Sequence, residues 1–242
     1  MKEYSDFRGR VFLRDGMSTE LTAAQSDTGV EASILASLAQ AEPRDRPYPN
    51  WRLADIFPGP VARAVAELPF APTELAGVSG RRELHNDDRR YFAGEVLADH
   101  PIAHRVAEAF QSPEVVAAFA ARTGARLEGC YLRIEYALDQ DGFWLEPHTD
   151  LGVKALTLLI QLPAEDQAEL GTDLYEKPGA WCERAAFDWN GALLFVPSSD
   201  TWHGFEPRPI RGIRRSVIVN YVTDEWRARE QLAFPQSPVN LG

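Results

Sequence analysis

Beyond Gly124 the chain breaks into short apolar runs with turn residues between them, and this pattern most narrows what it can fold into. The runs are GCYLRIEYAL (129–138), KALTLLIQL (154–162), TDLYE (172–176), GALLFVP (191–197) and RRSVIVNYV (214–222). Each has the length and residue types of a strand, and Gly, Pro, Asp and Asn separate them at intervals typical of an all-β barrel or sandwich. Upstream the texture is helical. EASILASLAQ (31–40) ends before Pro43, and RDRPYPN follows as a linker or extended segment. PGPVARAVAEL (58–68) carries Pro60 near its first turn. DHPIAHRVAEAF (99–110) offers Asp99 or His100 as cap before Pro101, and SPEVVAAFAARTG (112–124) runs from a Ser112 cap to a Gly124 stop. The expected class is mainly β with N-terminal helices (α+β), as one domain over 1–242. Within it, 1–125 are an N-terminal segment and buttressing helices, 126–224 a β-barrel core and 225–242 a C-terminal tail.

Charge narrows the partners. Asp and Glu number 36 against 25 Lys and Arg, a net charge of −11. Nucleic acid and anionic membranes are therefore not expected as partners, whereas a small anion held by a local arginine is compatible. A homodimer is compatible with the composition as well. No apolar run reaches the ~18 residues a membrane helix needs, and MKEYSDFRGRVFLRDGM lacks the plan of a secretory leader. The expected compartment is the cytoplasm. Cys130 and Cys182 match no zinc or redox spacing and are expected to be reduced.

The chemistry is sought in EPHTDLGVKALTLLIQLP (146–163), where His148 and Asp150 stand two apart. The pair alone proves little: with five histidines and 36 acids in 242 residues, roughly 0.7 His-x-Asp/Glu matches arise by chance. A second copy, His85-Asn86-Asp87, lies in the charged stretch RRELHNDDRRYF without strand alternation. It reads as a solvated face, with Arg82, Asn86 or Arg89 available to a substrate-facing lid. His148 differs, because on a strand residues i and i+2 share a face, so His148 and Asp150 aim into one space. His203, in DTWHGFEP, is the only histidine further on. Eleven residues later Arg214 opens RRSVIVNYV, and counting by twos puts Arg214, Ser216, Ile218 and Asn220 on one face. A guanidinium beside a hydroxyl grips a carboxylate well. Two histidines and one carboxylate leave three positions open, which suits non-haem Fe(II). Zinc fits the ligand types, but a structural zinc would need a fourth ligand.

His148-x-Asp150, His203 and Arg214-x-Ser216, in this order, resemble the iron(II)/2-oxoglutarate-dependent dioxygenases, nearest to their prolyl 4-hydroxylase-type branch. The likeness runs from about Cys130 to Val222 and takes in YLRIEY (131–136), LEPHTD (145–150), TLLIQL (157–162) and GALLFVP with Trp202-His203. It implies a double-stranded β-helix, or jelly roll, with helices against its larger sheet. His148, Asp150 and His203 would hold Fe(II). Arg214 and Ser216 would bind 2-oxoglutarate, with Tyr136, Thr157 and Leu159 at the same pocket, and O₂ would be the second co-substrate. Asp150, where a halogenating relative has a small residue, argues for hydroxylation over halogenation, with ring closure and desaturation left open. The substrate class is a small molecule or a peptidyl residue, with Arg82, Asn86, Trp144 and Trp202 as its candidate contacts. Two positions depart from the family: Gln161 stands where relatives carry a tyrosine or lysine, and Gly171-Thr172 replaces a Gly-Gly strand start. The competing class is a cupin-like metal-dependent isomerase or a non-catalytic ligand-binding barrel.

Overall fold

The computed structural model describes residues 29–72, 75, 80, 89–150 and 152–242. A helix over 29–39 (α1) leads into a hairpin of β1 (Glu42–Arg44) and β2 (Asn50–Leu53), whose turn is made by RDRPYPN. Four helices follow: α2 (Gly59–Ala66), α3 (Gly94–Asp99), α4 (Pro101–Gln111) and α5 (Pro113–Thr123). Proline fills the first turn of α2, α4 and α5, where its missing N–H has no carbonyl to serve. Helix α5 stops at Gly124, whose φ of 76° is the left-handed cap that glycine adopts cheaply.

Among the described residues eleven strands form two sheets, and all pairing between named strands is antiparallel. Past the two-residue β3 (Arg90–Tyr91) come β4 (Tyr131–Asp139), β5 (Leu145–His148), β6 (Lys154–Gln161), β7 (Asp173–Lys177), β8 (Ala180–Arg184), β9 (Gly191–Phe195), β10 (Trp202–Phe205) and β11 (Arg214–Val222). The larger sheet has the order β1-β2-β9-β6-β11-β4-β3 and the smaller β5-β10-β7-β8. From β4 onward the chain sends β4, β6, β9 and β11 to the larger sheet and β5, β7, β8 and β10 to the smaller.

Alternation decides what each face does. On β4, β6 and β11 the side chains of Leu132, Ile134, Tyr136, Leu156, Leu158, Ile160, Val217, Val219 and Tyr221 join one apolar cluster with Val65, Val106, Phe110 and Phe119 of the helices. Two buried tyrosines lock sheet to helices: Tyr136 donates to the Val65 carbonyl at 2.8 Å and Tyr221 to the Phe110 carbonyl at 2.6 Å. The opposite face of the same strands is polar and looks toward the smaller sheet. The tail adds no strand but packs Leu232, Ala233 and Val239 into the molecule. Trp181, on edge strand β8, and Trp189 are 52% and 43% exposed. Both cysteines are free thiols. No described helix is long and apolar enough to cross a membrane.

Candidate metal centre

Strand pairing brings the two histidines together. β5 ends on His148, β10 carries His203, and the antiparallel register sets these residues directly opposite. Their ring centroids lie 4.4 Å apart. Asp150 lies beyond the strand end and still turns inward, with Oδ1 at 4.0 Å from His203 Nε2. One ligand atom from each of the three residues falls within a 4.8 Å group, a spacing one metal ion can bridge.

Each group is held in the state a metal needs. The Nδ1 of His148 lies 2.9 Å from the Glu146 carbonyl and that of His203 2.9 Å from the Thr201 carbonyl. A carbonyl can only accept, so both Nδ1 atoms carry the proton and both Nε2 atoms bear the lone pair that a metal would use. Burial, reinforced by the neighbouring His148, pushes the His203 pKa down to about 3, so this imidazole is neutral at ordinary pH. Asp150 accepts from Thr157 Oγ1 on Oδ2 at 2.7 Å and pairs with Lys154 through Oδ1. Hydroxyl and ammonium together fix the carboxylate plane.

The cavity beside these ligands is walled by both sheets. Arg214 and Ser216 of β11, Thr157 and Leu159 of β6 and Asp139 of β4 face Leu145, His203 and Phe205 across it. Arg214 is buried, stacks over the Phe205 ring at 4.5 Å, donates through Nε to the Leu170 carbonyl and ion-pairs with Asp139 at 2.7 Å. Burial lowers its pKa and the Asp139 charge opposes that shift. From there a polar chain crosses the sheet. Asp139 also meets Arg89 at 3.4 Å, Arg89 meets Glu135 at 2.8 Å, and Glu135 meets Arg133 at 2.9 Å. Arg133 donates to Asn220, Asn220 donates to Thr157, and Thr157 donates to Asp150. One continuous series of contacts thus joins the carboxylate of the metal group to Arg214.

Comparison with solved structures places this arrangement. A prolyl hydroxylase from Trichoplax adhaerens, in complex with a hypoxia inducible factor oxygen degradation domain peptide fragment, superposes with a TM-score of 0.54 at 13% identity, over 86% of this chain and 95% of that one. A prolyl 4-hydroxylase from Phytophthora capsici gives 0.51 at 13% identity over 93% and 71%, and one from Pseudomonas putida 0.51 at 15% over 80% and 94%. The fold is that of the prolyl 4-hydroxylases. No family model matches the chain, and no curated protein matches it by sequence.

Within this prolyl 4-hydroxylase fold, the residues expected from sequence divide into three groups. His148, Asp150 and His203 come together, and Arg214, Ser216, Thr157 and Leu159 line the cavity beside them. Tyr136 does not. It lies one residue out of phase with Ala137, so its side chain enters the helical layer and its hydroxyl is spent on Val65. Its neighbour across the strand pair is Val217, and Arg215, whose side chain bonds it, shares that outer face. Trp144 packs against Gly80, where a Cβ would come within 2.5 Å of the indole, and neither Trp144 nor Trp202 lines the cavity. Phe143 and Phe205 supply the aromatic wall instead. Arg82 and Asn86 lie outside the described residues. Gln161 lines the cavity, and its Oε1 accepts from the Asp188 backbone at 3.3 Å.

Four charged residues at the site were not singled out from sequence as site residues: Asp139, Glu135, Arg133 and Lys154. A signal for the first three existed. Counting by twos along β4 puts Arg133, Glu135 and Asp139 on one face, and three charges on the inner face of a strand demand partners.

Proposed function

We propose that the chain is an Fe(II)- and 2-oxoglutarate-dependent oxygenase of the hydroxylase type, built as a double-stranded β-helix. The observation that carries this reading is the His148–Asp150–His203 group, with both Nδ1 atoms anchored on backbone carbonyls, in a cavity that ends on Arg214 and Ser216. The alternation of strands between two sheets supports the jelly-roll architecture. Two neutral imidazoles and one carboxylate on one side of an ion suit a hard-to-intermediate metal that keeps positions open for a co-substrate and O₂. Such a centre, when bound, supplies the activation of O₂ through oxidative decarboxylation of a 2-oxo acid.

The chain's own residues do the rest. Thr157 and Lys154 hold Asp150 in one orientation. Arg214 and Ser216 receive a carboxylate of the co-substrate, which fixes the direction in which its keto end points. Phe143, Leu145, Leu159, Phe205 and Ile218 keep water from the reacting end.

Fe(II) and 2-oxoglutarate added without oxygen are expected to give a weak visible charge-transfer band. His148→Ala and Asp150→Ala should each abolish it, and a band unchanged in both variants would sink the metal assignment. A screen of amino acids, peptides and small metabolites for succinate release, with mass detection of an added oxygen, then identifies the substrate. Zinc or nickel retained with no 2-oxoglutarate turnover would favour a cupin-like isomerase.

A further inference from the structure

Among the described residues the buried polar chain on the inner face of β4 does not balance. Arg89, Arg133 and Arg214 meet two carboxylates there, Glu135 and Asp139. Lys154 pairs with Asp150. Among the described residues one positive charge is left over, and the side chains of Arg89, Arg133, Glu135, Asp139 and Arg214 are each exposed by a tenth or less. An uncompensated charge at such depth is costly, and an anion of one charge would relieve it.

Position says where that anion sits. Asp139 is gripped from two sides, Arg214 Nη1 on Oδ2 and Arg89 Nη2 on Oδ1. The two guanidiniums therefore flank one point of the cavity wall, and both line the cavity. Two donors there have no hydrogen-bond acceptor or partner among the described residues: Arg89 Nε and Ser216 Oγ. Arg89 is 6% exposed and Ser216 4%. Buried donors without partners are rare unless something arrives to satisfy them.

We propose that Arg89 is a second guanidinium of the co-substrate site, acting with Arg214 and Ser216 on the distal carboxylate of a dicarboxylate 2-oxo acid, and that Asp139 sets the net charge there to one. The proposal rests on the oxygenase reading above. Arg214, half-neutralised by Asp139, cannot by itself supply a full charge to an incoming carboxylate; Arg89 restores it. Together they make the site selective for a 2-oxo acid with a second carboxylate over one without.

Anaerobic equilibrium dialysis of the Fe(II)-loaded protein tests this, with 2-oxoglutarate and 2-oxobutanoate as the two probes. Arg89→Met should weaken 2-oxoglutarate binding by about 10- to 100-fold, as expected for losing one charge-assisted donor. Binding of 2-oxobutanoate and of Fe(II) should be unchanged. Asp139→Asn should bind 2-oxoglutarate more tightly than the wild type. If Arg214→Met weakens 2-oxoglutarate while folded Arg89→Met does not, the role given to Arg89 is wrong. Equal weakening of both probes would also overturn it, since it marks a scaffold defect. Should Arg89→Met not fold, Arg89→Lys and Asp139→Asn decide, and unchanged dicarboxylate preference in both rejects the proposal. A wild-type protein that takes up Fe(II) but not 2-oxoglutarate would overturn the oxygenase reading, and this inference with it.

Discussion

Asp150 shows how much a single metal-site side chain depends on its neighbours. Its Oδ2 takes a hydrogen bond from Thr157, which in turn accepts from Asn220 Nδ2 at 2.9 Å. Valine at position 157 keeps the shape and removes both interactions. Thr157→Val is therefore expected to lower metal affinity by about 10- to 100-fold, the usual cost of losing an outer hydrogen bond to a ligand. Stability should fall by about 1–3 kcal/mol, because the Asn220 amide and the carboxylate each lose a buried partner. Competition against a chromophoric chelator measures the first and thermal melting the second. Metal affinity equal to wild type would show that Lys154 alone orients Asp150. His148 and His203 need less help from side chains, since both Nδ1 atoms are tied to carbonyls two residues back along the chain.

At the scale of elements, the site depends on how closely β10 lies against β5. Gly204 follows His203, and a Cβ there would sit 2.8 Å from the Leu145 carbonyl oxygen and 3.1 Å from that of Glu146. Those atoms are backbone and cannot swing aside. Gly204→Ala must push β5 outward, and β5 carries both His148 and the carbonyl that anchors it. We expect a loss of about 1–3 kcal/mol in stability from this overpacking, with metal affinity reduced far more than helix content. Circular dichroism and metal titration on the same sample check that split. Metal binding as tight as wild type would show that the two histidines do not depend on strand spacing. Neither of these two strands is among the five runs that the sequence announces. β5 and β10 are four residues each and interrupted by Pro147 and Gly204, so they show no apolar alternation to read. The five runs expected from sequence have observed ends within a few residues of those expected, and four of them, β4, β6, β9 and β11, each set one face in the helical layer. Phase was harder: at Tyr136 a shift of one residue moved a side chain from the cavity to the helices, and only the pairing of β4 with β11 decides that.

Across the whole molecule, one layer is apolar and local, and the other is polar and assembled from distant segments. The helical layer was readable because periodicity announces it. The polar chain was not, because Arg89, Asp139, Asn220 and Thr157 meet only once three strands are in register. A second buried cluster ties the smaller sheet together in the same way. Asp173 of β7 is fully buried and accepts from Arg184 of β8 at 2.8 Å, from Arg208 at 2.6 Å and from the Glu206 backbone at 2.9 Å. Burial alone would raise its pKa, but these donors outweigh it and hold the carboxyl below its ordinary value. The sign follows directly. A carboxylate whose pKa is lower folded than unfolded adds stability above its unfolded pKa of about 3.9, and loses it as pH falls through the folded value. Melting temperature should therefore hold on the acid side down to about pH 4 as far as Asp173 is concerned, and fall below it. Asp173→Asn should cost about 3 kcal/mol at neutral pH, the low end for breaking a buried pair, because Arg184 and Arg208 keep some contact with water. It should also flatten the acid limb of the stability curve, since the group that titrates is gone. Thermal melts of both proteins from pH 3 to pH 7 decide the point: parallel curves would mean that Asp173 contributes nothing to the acid sensitivity and that the fall belongs to other carboxylates.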